Sequence, residues 1–412
     1  MATLVLGPLL RHVGEVDAVV WVETDEPCEV EVLGHAARTF RVGEHHYGLV
    51  VVDGLEPGTL TDYEVALDDG RGWPPPGEPH PRIRTLHRDR QVDVVFGSCR
   101  NAAPHDAEWN ARLGVDALRA LALRLRESAE PPPHALLLLG DQVYVDEAAP
   151  QTRAFARARR DTSRPPGEGA ADFEEYSMLY RESWGDPDLR SLLATVSTAM
   201  VFDDHELHDD WGISAAWARD MRREPWWEER VAGAFASYWL YQHLGNLSPQ
   251  VLAEDDFYRR VRKADDGAPL LREMALAHLD GTQGTRWSYA RELGHSRLVV
   301  VDSRAGRVLE PGRRLMVDED EWEFVAEQAR GDVRHLLLAS SVPVLLGGGI
   351  NDLQAWNERI CDGAWGRLSA RLGDGLAEEI QRHFGVLLLN AMRPRHWPRS
   401  VARPAAYWPA AS

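Results

Sequence analysis

The 412-residue sequence predicts an α/β layered domain preceded by a small all-β domain. Residues 1–87 carry short alternating or β-branched apolar runs separated by turn residues. From residue 91 onward, apolar runs of strand length alternate with helical stretches. Polar residues then crowd just beyond the ends of those runs, most densely in Phe202-Asp-Asp-His-Glu-Leu-His-Asp-Asp-Trp-Gly212.

In the first part, Ala18-Val-Val-Trp-Val-Glu23, Cys28-Glu-Val-Glu-Val-Leu33 and Tyr47-Gly-Leu-Val-Val-Val52 read as strands. Leu55-Glu-Pro-Gly-Thr-Leu-Thr-Asp-Tyr-Glu-Val65 resembles the tyrosine-corner segment of fibronectin III-like sandwiches, in which Tyr63 would bond back to its own turn. Pro74-Pro-Pro76 and Pro79-His-Pro81 predict a linker. In the second part, Val92–Phe96, His134–Leu139, Ser197–Phe202, Arg297–Asp302 and Arg334–Ser340 read as buried strands. A helix is expected over Ala117–Arg126, helices or loops over 150–192, and a Trp-rich, mainly helical insertion over about 213–290. The expected division is 1–87 for the β-sandwich and 88–412 for the α/β domain.

The net charge of −19 argues against a nucleic-acid scaffold binder or an anionic-membrane binder. Cys28, Cys99 and Cys361 are scattered and odd in number, so they form no disulfide framework. The first residues lack the basic region of a signal peptide, and no apolar run approaches the roughly 20 residues of a membrane span. A cytoplasmic protein is expected.

Chemistry gathers at four strand ends, the edge where open α/β sheets build sites. They are Ser98-Cys-Arg100, Asp141-Gln-Val-Tyr-Val-Asp-Glu147, Asp203–Asp210 and Asp302-Ser-Arg304. Carboxylates and imidazoles as dense as Asp203, Asp204, His205, Glu206, His208, Asp209 and Asp210 repel one another, and a bound cation would remove that cost. Each cluster taken singly has a plainer reading: a solvated acidic loop, a buried small hydrophobe at Cys99, a structural ion pair at Asp302 and Arg304.

Taken in order, Phe96-Gly-Ser-Cys-Arg100, Gly140-Asp-Gln-Val-Tyr144, Asp203-Asp-His-Glu206 with Asp209-Asp-Trp-Gly212, and Ser340-Ser-Val-Pro343 resemble the PhoD-like (alkaline phosphatase D) branch of the calcineurin-like metallophosphatases. The resemblance covers roughly residues 91–365. It implies a two-layer αββα metallophosphatase core with a dinuclear metal centre, ferric iron with calcium, or manganese or zinc. It implies Cys99, Asp141, Tyr144 and Asp204 as metal ligands and His205 as the proton donor to the leaving group. Arg100 would steady the phosphoryl oxygens or serve as a salt-bridge partner. Asp203, His208 and Asp209 would orient the others. A metal-bridging hydroxide would attack a small phosphate monoester or diester.

The sequence departs from that family late in the chain. The expected Gly-Asp-x-His strand is not found, and His383 and His396 lack its neighbours. No carboxylate follows Glu379, and the tail from about 380 is rich in Arg, Pro and Ala. This reads as a truncation by a reading-frame change, leaving the C-terminal part of the core missing and the metals only partly held. Two alternatives stay open: an inactive or weakly active homologue that serves as a binding module, and a metal hydrolase for a non-phosphate ester or anhydride. Oligomeric state is left open.

Overall fold

The computed structural model describes residues 2–342, except 69, 129, 213–214, 280–284 and 311–314, together with Trp356. The late motif, Pro343, Cys361 and the tail lie outside the described residues.

The first part is all-β: β1 (Leu4–Val13), β2 (Ala18–Thr24), β3 (Glu29–Val32), β4 (His35–Arg38), β5 (Phe40–Val42), β6 (His45–Val52), β7 (Leu60–Asp62), β8 (Val65–Leu67), β9 (Gly70–Trp73) and β10 (Arg82–Arg84). One sheet runs β1-β2-β6-β5, a second β4-β3-β8-β9, and β10 pairs with β7. Alternation sorts the side chains. Val20, Val22, Val50 and Val52 join Val30, Val32 and Val65 between the sheets. Leu9, Val19, Trp21 and Leu49 point the other way, into the main cluster shared with the helices of the α/β part. β2 is therefore buried along its whole length.

The α/β part supplies six strands: β11 (Val94–Gly97), β12 (Ala135–Leu139), β13 (Thr198–Val201), β14 (Tyr289–Leu293), β15 (Ser296–Val301) and β16 (His335–Ser340). β11, β12 and β13 form one parallel sheet. In the other, β14 is antiparallel and β16 parallel to β15. Leu137, Ala199 and Val201 of the first sheet meet Tyr289, Leu298 and Val300 of the second. On their outer faces, Leu136, Leu138 and Met200 pack on helices of the main cluster, and Val299 and Val301 pack with Val325 of a C-terminal helix. The layers are therefore helix, sheet, sheet, helix, as the family resemblance implies.

The helices are α1 (Ala107–Leu113), α2 (Ala117–Glu127), α3 (Pro150–Arg159), α4 (Phe173–Trp184), α5 (Pro187–Thr195), α6 (Ala215–Met221), α7 (Trp227–Ser237), α8 (Pro249–Glu254), α9 (Asp256–Lys263), α10 (Ala268–Leu279) and α11 (Glu319–Gln328). Asp116, Asp172 and Asp186 cap α2, α4 and α5 through their side chains. No described helix is long and apolar enough to cross a membrane.

Two buried arginines, Arg11 of β1 and Arg291 of β14, meet at one helix end, and neither has a carboxylate partner among the described residues. α7 continues through a π-helical turn, Tyr238–His243, and a 3-10 turn, Leu244–Asn246. Its terminal carbonyls accept from Arg11 (Tyr241 O 3.2 Å, Gln242 O 2.6 Å) and from Arg291 (Asn246 O 3.0 Å, Gly245 O 2.7 Å). A helix C-terminus presents unpaired carbonyls and partial negative charge, which suits a guanidinium. Tyr63 corrects the expectation of a self-bonded corner. Its hydroxyl donates instead to Ala194 O at the end of α5, 2.6 Å away.

Candidate metal centre

Parallel pairing aligns the C-terminal ends of β11, β12 and β13. Gly97 registers with Leu138, and Leu139 with Val201. Backbone bonds continue past the strands: Cys99 N donates to Gly140 O (3.2 Å), Arg100 N to Asp141 O (3.0 Å) and Val145 N to His205 O (3.0 Å). The three loops thus meet at one edge. Cys99 (φ 61°) and Asp141 (φ 54°) both sit in the left-handed region, a strain that non-glycine residues hold only where surroundings impose it. Gly140 has φ 95°, and a Cβ there would come within 2.6 Å of Asp203 Cβ, so this turn admits only glycine.

Asp141, Asp204 and His205 each offer a ligand atom, all within 4.8 Å of one another. Burial, and then the Asp203 and Asp204 carboxylates, push the Asp141 carboxyl up to about 7. Asp141 Oδ1 and His205 Nδ1 are buried and have no hydrogen-bond partner among the described residues. Unpartnered buried acceptors among repelling carboxylates are what a cation would satisfy, so these residues fit one. Asp204 has other bonds too: Oδ1 lies 3.0 Å from Arg304 Nη2, and Oδ2 accepts from Asp210 N (2.9 Å). Asp204, Asp209 and Asp210 form a second, more exposed group of the same kind.

The Tyr144 ring stacks on His205 with centroids 4.3 Å apart. Burial and the nearby Asp141 raise the Tyr144 phenol, and burial pushes the Cys99 thiol up to about 11. Cys99 adjoins Asp141 and Tyr144 yet stands outside the tight three-residue group. Without a cation, neither group is disposed to lose its proton.

Arg100 turns away from this cluster. It donates to Asp116 (3.0 Å) and to Ser183 O and Oγ (2.6 and 2.8 Å), the salt-bridge alternative of the sequence reading. Asp203 pairs with Arg304, which is fully buried. His205 Nε2 lies 3.7 Å from Asp209 Oδ1. His208 Nδ1 bonds Asp146 Oδ2 (2.7 Å), which also accepts from Asp209 N (3.0 Å). The His208 ring is surrounded by Trp217, Trp226 and Trp227 at 5.5, 6.2 and 6.0 Å. Trp227 is buried in the main cluster, whereas Trp217 and Trp226 are half-buried.

Two residues matter more than their sequence positions announce. Glu206, fully buried, accepts from Asp141 N (3.0 Å), Gln142 N (2.7 Å), Asp203 N (3.0 Å) and Gln242 Nε2 (3.1 Å). One carboxylate thus straps the β12 loop to the β13 loop. Its spacing from Asp203 is that of a capping box, the local signal that could have identified it. Arg304 is held from below by Asp302, which accepts from Arg304 N (2.8 Å), Ala305 N (3.0 Å) and Gly306 N (3.0 Å). Ser303 Oγ bonds Ser341 Oγ (2.9 Å), joining the ends of β15 and β16 beneath this edge.

A domain family of unknown function, DUF7800, matches residues 1–85, and the profile described as PhoD-like phosphatase matches residues 108–345, more than half of the chain. No curated protein matches. A solved structure of PhoD superposes with a TM-score of 0.53 at 14% identity, over 82% of this chain and 62% of that one. The chain therefore spans less than two thirds of that protein's length. A purple acid phosphatase from yellow lupin (Lupinus luteus) seeds gives a TM-score of 0.39 at 10% identity, over 80% of this chain and 50% of that one.

Proposed function

Since the chain belongs to the PhoD-like phosphatase family, we propose that it hydrolyses small phosphate monoesters or diesters at the Asp141–Asp204–His205 cluster. The observation that carries this reading is the pair of unpartnered buried atoms, Asp141 Oδ1 and His205 Nδ1, inside a group of ligand spacing.

Asp141, Asp204 and a ring nitrogen of His205 would hold a cation, with Cys99 and Tyr144 placed to join a second ion beside Asp141. Iron, calcium, manganese or zinc, when bound, would supply Lewis-acid polarisation of the phosphoryl group and a nucleophilic water near neutral pH. The chain's own residues do the rest. Glu206 fixes the Asp141 and Asp203 backbones against each other. Tyr144 stacking and Asp209 fix the His205 ring in the orientation in which it would bind the cation. Arg304 offsets the charge of Asp203 and Asp204, so the pocket tolerates an anionic substrate. Residues 1–87 would be the β-sandwich that backs the helical layer, and the described residues from 88 onward would be the hydrolase domain, with an insertion over about 213–290. Asp203, His208 and Asp209 act by positioning.

Hydrolysis of an aryl phosphate monoester and diester, assayed after chelation and after return of each metal, tests the proposal. Metal-restored turnover that falls by about 10²-fold in Asp141→Asn is the expected result. Absence of metal and of turnover would instead favour a non-catalytic binding module.

A further inference from the structure

We infer that the cavity beside Cys99 and Tyr144 seats the alcohol part of the substrate and selects bulky, uncharged apolar alcohols. This rests on the hydrolase reading of the neighbouring cluster. The cavity measures about 580 Å³, a size suited to a drug-sized ligand. Its wall includes Cys99 and Tyr144, which adjoin Asp141 of the candidate metal centre.

The chemistry of the wall sets what it takes. Leu118 and Leu121 of α2 lie under the cavity, and Trp109 of α1 lines its side. α1 buries none of its residues, so it stands off from the core and leaves this space open. Among the described residues, the three most exposed large apolar side chains are Val115 (74%), Phe96 (71%) and Leu113 (51%), and all three line this cavity. Apolar surface concentrated at one place, next to a reacting edge, marks a binding site rather than scatter.

Charge excludes the alternatives. The cationic side chains on the wall are Arg100 and His105, and each already faces a carboxylate, Asp116 at 3.0 Å and Asp186 at 3.5 Å. Glu147 adds negative charge to the same wall. An alcohol carrying a second phosphate or a carboxylate would meet no uncommitted cation among the described residues of that wall. A neutral aromatic or aliphatic alcohol would cover the exposed side chains and leave its phosphoryl group at Asp141 and Asp204.

The test compares ethyl phosphate with 2-(2-naphthyl)ethyl phosphate, whose leaving groups differ in bulk rather than in acidity. It adds equilibrium dialysis of 2-(2-naphthyl)ethanol against the full chain. The expected results are a KM lower by about tenfold or more for the naphthyl ester, and retention of the alcohol in dialysis. Leu113→Asp, on the exposed rim, and Ala103→Trp, which fills the space, should each bring the KM ratio towards one and reduce retention. Equal KM values with no retained alcohol would overturn the inference while leaving the hydrolase reading intact. Retention unchanged in both variants would overturn it as well. If neither ester turns over with any metal, the hydrolase reading fails, and dialysis alone decides the cavity: retention lost in the variants supports an apolar ligand site, and no retention rejects it.

Discussion

Replacing Glu206 with glutamine should loosen the candidate metal centre without touching any ligand. Oε2 of Glu206 accepts from Asp141 N and Asp203 N, and Oε1 accepts from Gln142 N and Gln242 Nε2. Whichever oxygen becomes the amide nitrogen, two buried N–H donors are left facing another donor. Each such loss costs about 1–3 kcal/mol, and removing a buried charge returns part of it, so Glu206→Gln should cost about 2–4 kcal/mol. Glu206→Ala strands all four donors and should cost more. The functional effect follows from the backbone. Asp141 is held at φ 54° and should relax towards an ordinary conformation once its amide loses the strap. We expect kcat to fall by about 10²-fold with KM changed little, because placement of Asp141 rather than substrate contact is lost. Denaturant unfolding, metal content and steady-state kinetics on the two variants provide the assay. Stability within about 0.5 kcal/mol of wild type together with unchanged kcat would refute the strap.

Arg304→Gln removes the buried counterion of Asp203 and Asp204 and should cost about 3–5 kcal/mol in chelator; added manganese or zinc should stabilise the variant more than the wild type, read by paired melting curves. His45 lies between Glu23 of β2 and Glu174 of α4, at 2.9 Å from each, beside Arg181. Burial pulls its imidazole down, but the bonds to Glu174 and Glu23 outweigh that and carry it from 6.5 to about 9. Because the folded value is raised, this contribution is complete below about pH 6.5 and is lost as pH rises through about 9. His45→Gln should therefore flatten the stability profile over that window by up to about 3 kcal/mol, measured by denaturant unfolding across pH. Arg11→Met strands the Tyr241 and Gln242 carbonyls and should cost about 2–4 kcal/mol, with the β-sandwich losing hydrogen-exchange protection along β1.

β12, β13 and β15 were legible because their apolar runs are continuous and stop at glycine or aspartate, a pattern that buried strands impose, whereas β14 (Tyr289–Leu293), with Arg291 and Glu292 inside it, was not foreseen, and β11 and β16, expected as buried, are largely part-exposed or exposed. β12 falls at Ala135–Leu139 and β13 at Thr198–Val201, each within a residue of the expected run. The crowding of Asp203–Asp210 was legible for a similar reason, since that many acids in one turn have few stable environments. Arg304 was visible only as one of a pair with Asp302. Its partners lie about a hundred residues earlier, at Asp203 and Asp204, and no local periodicity encodes a pairing at that separation. Tyr63 shows the same limit: its segment reads as a self-contained corner, but docking against α5 offers the hydroxyl a nearer acceptor in another part of the chain. Arg100 left two readings open in sequence, and its bond to Asp116, the cap of α2, is one that no local pattern announced. α1 escaped notice because a seven-residue helix that buries nothing carries no apolar stripe.

Asp141, Asp204 and His205 are the proposed ligands of a cation. Titration of the chelated chain with manganese or zinc, followed by calorimetry, tests this assignment most directly. We expect stoichiometric binding in the wild type, with affinity reduced by about 10-fold to 100-fold or more in Asp141→Asn and in His205→Ala. Binding that is absent from the wild type, or equally tight in both variants, would contradict it.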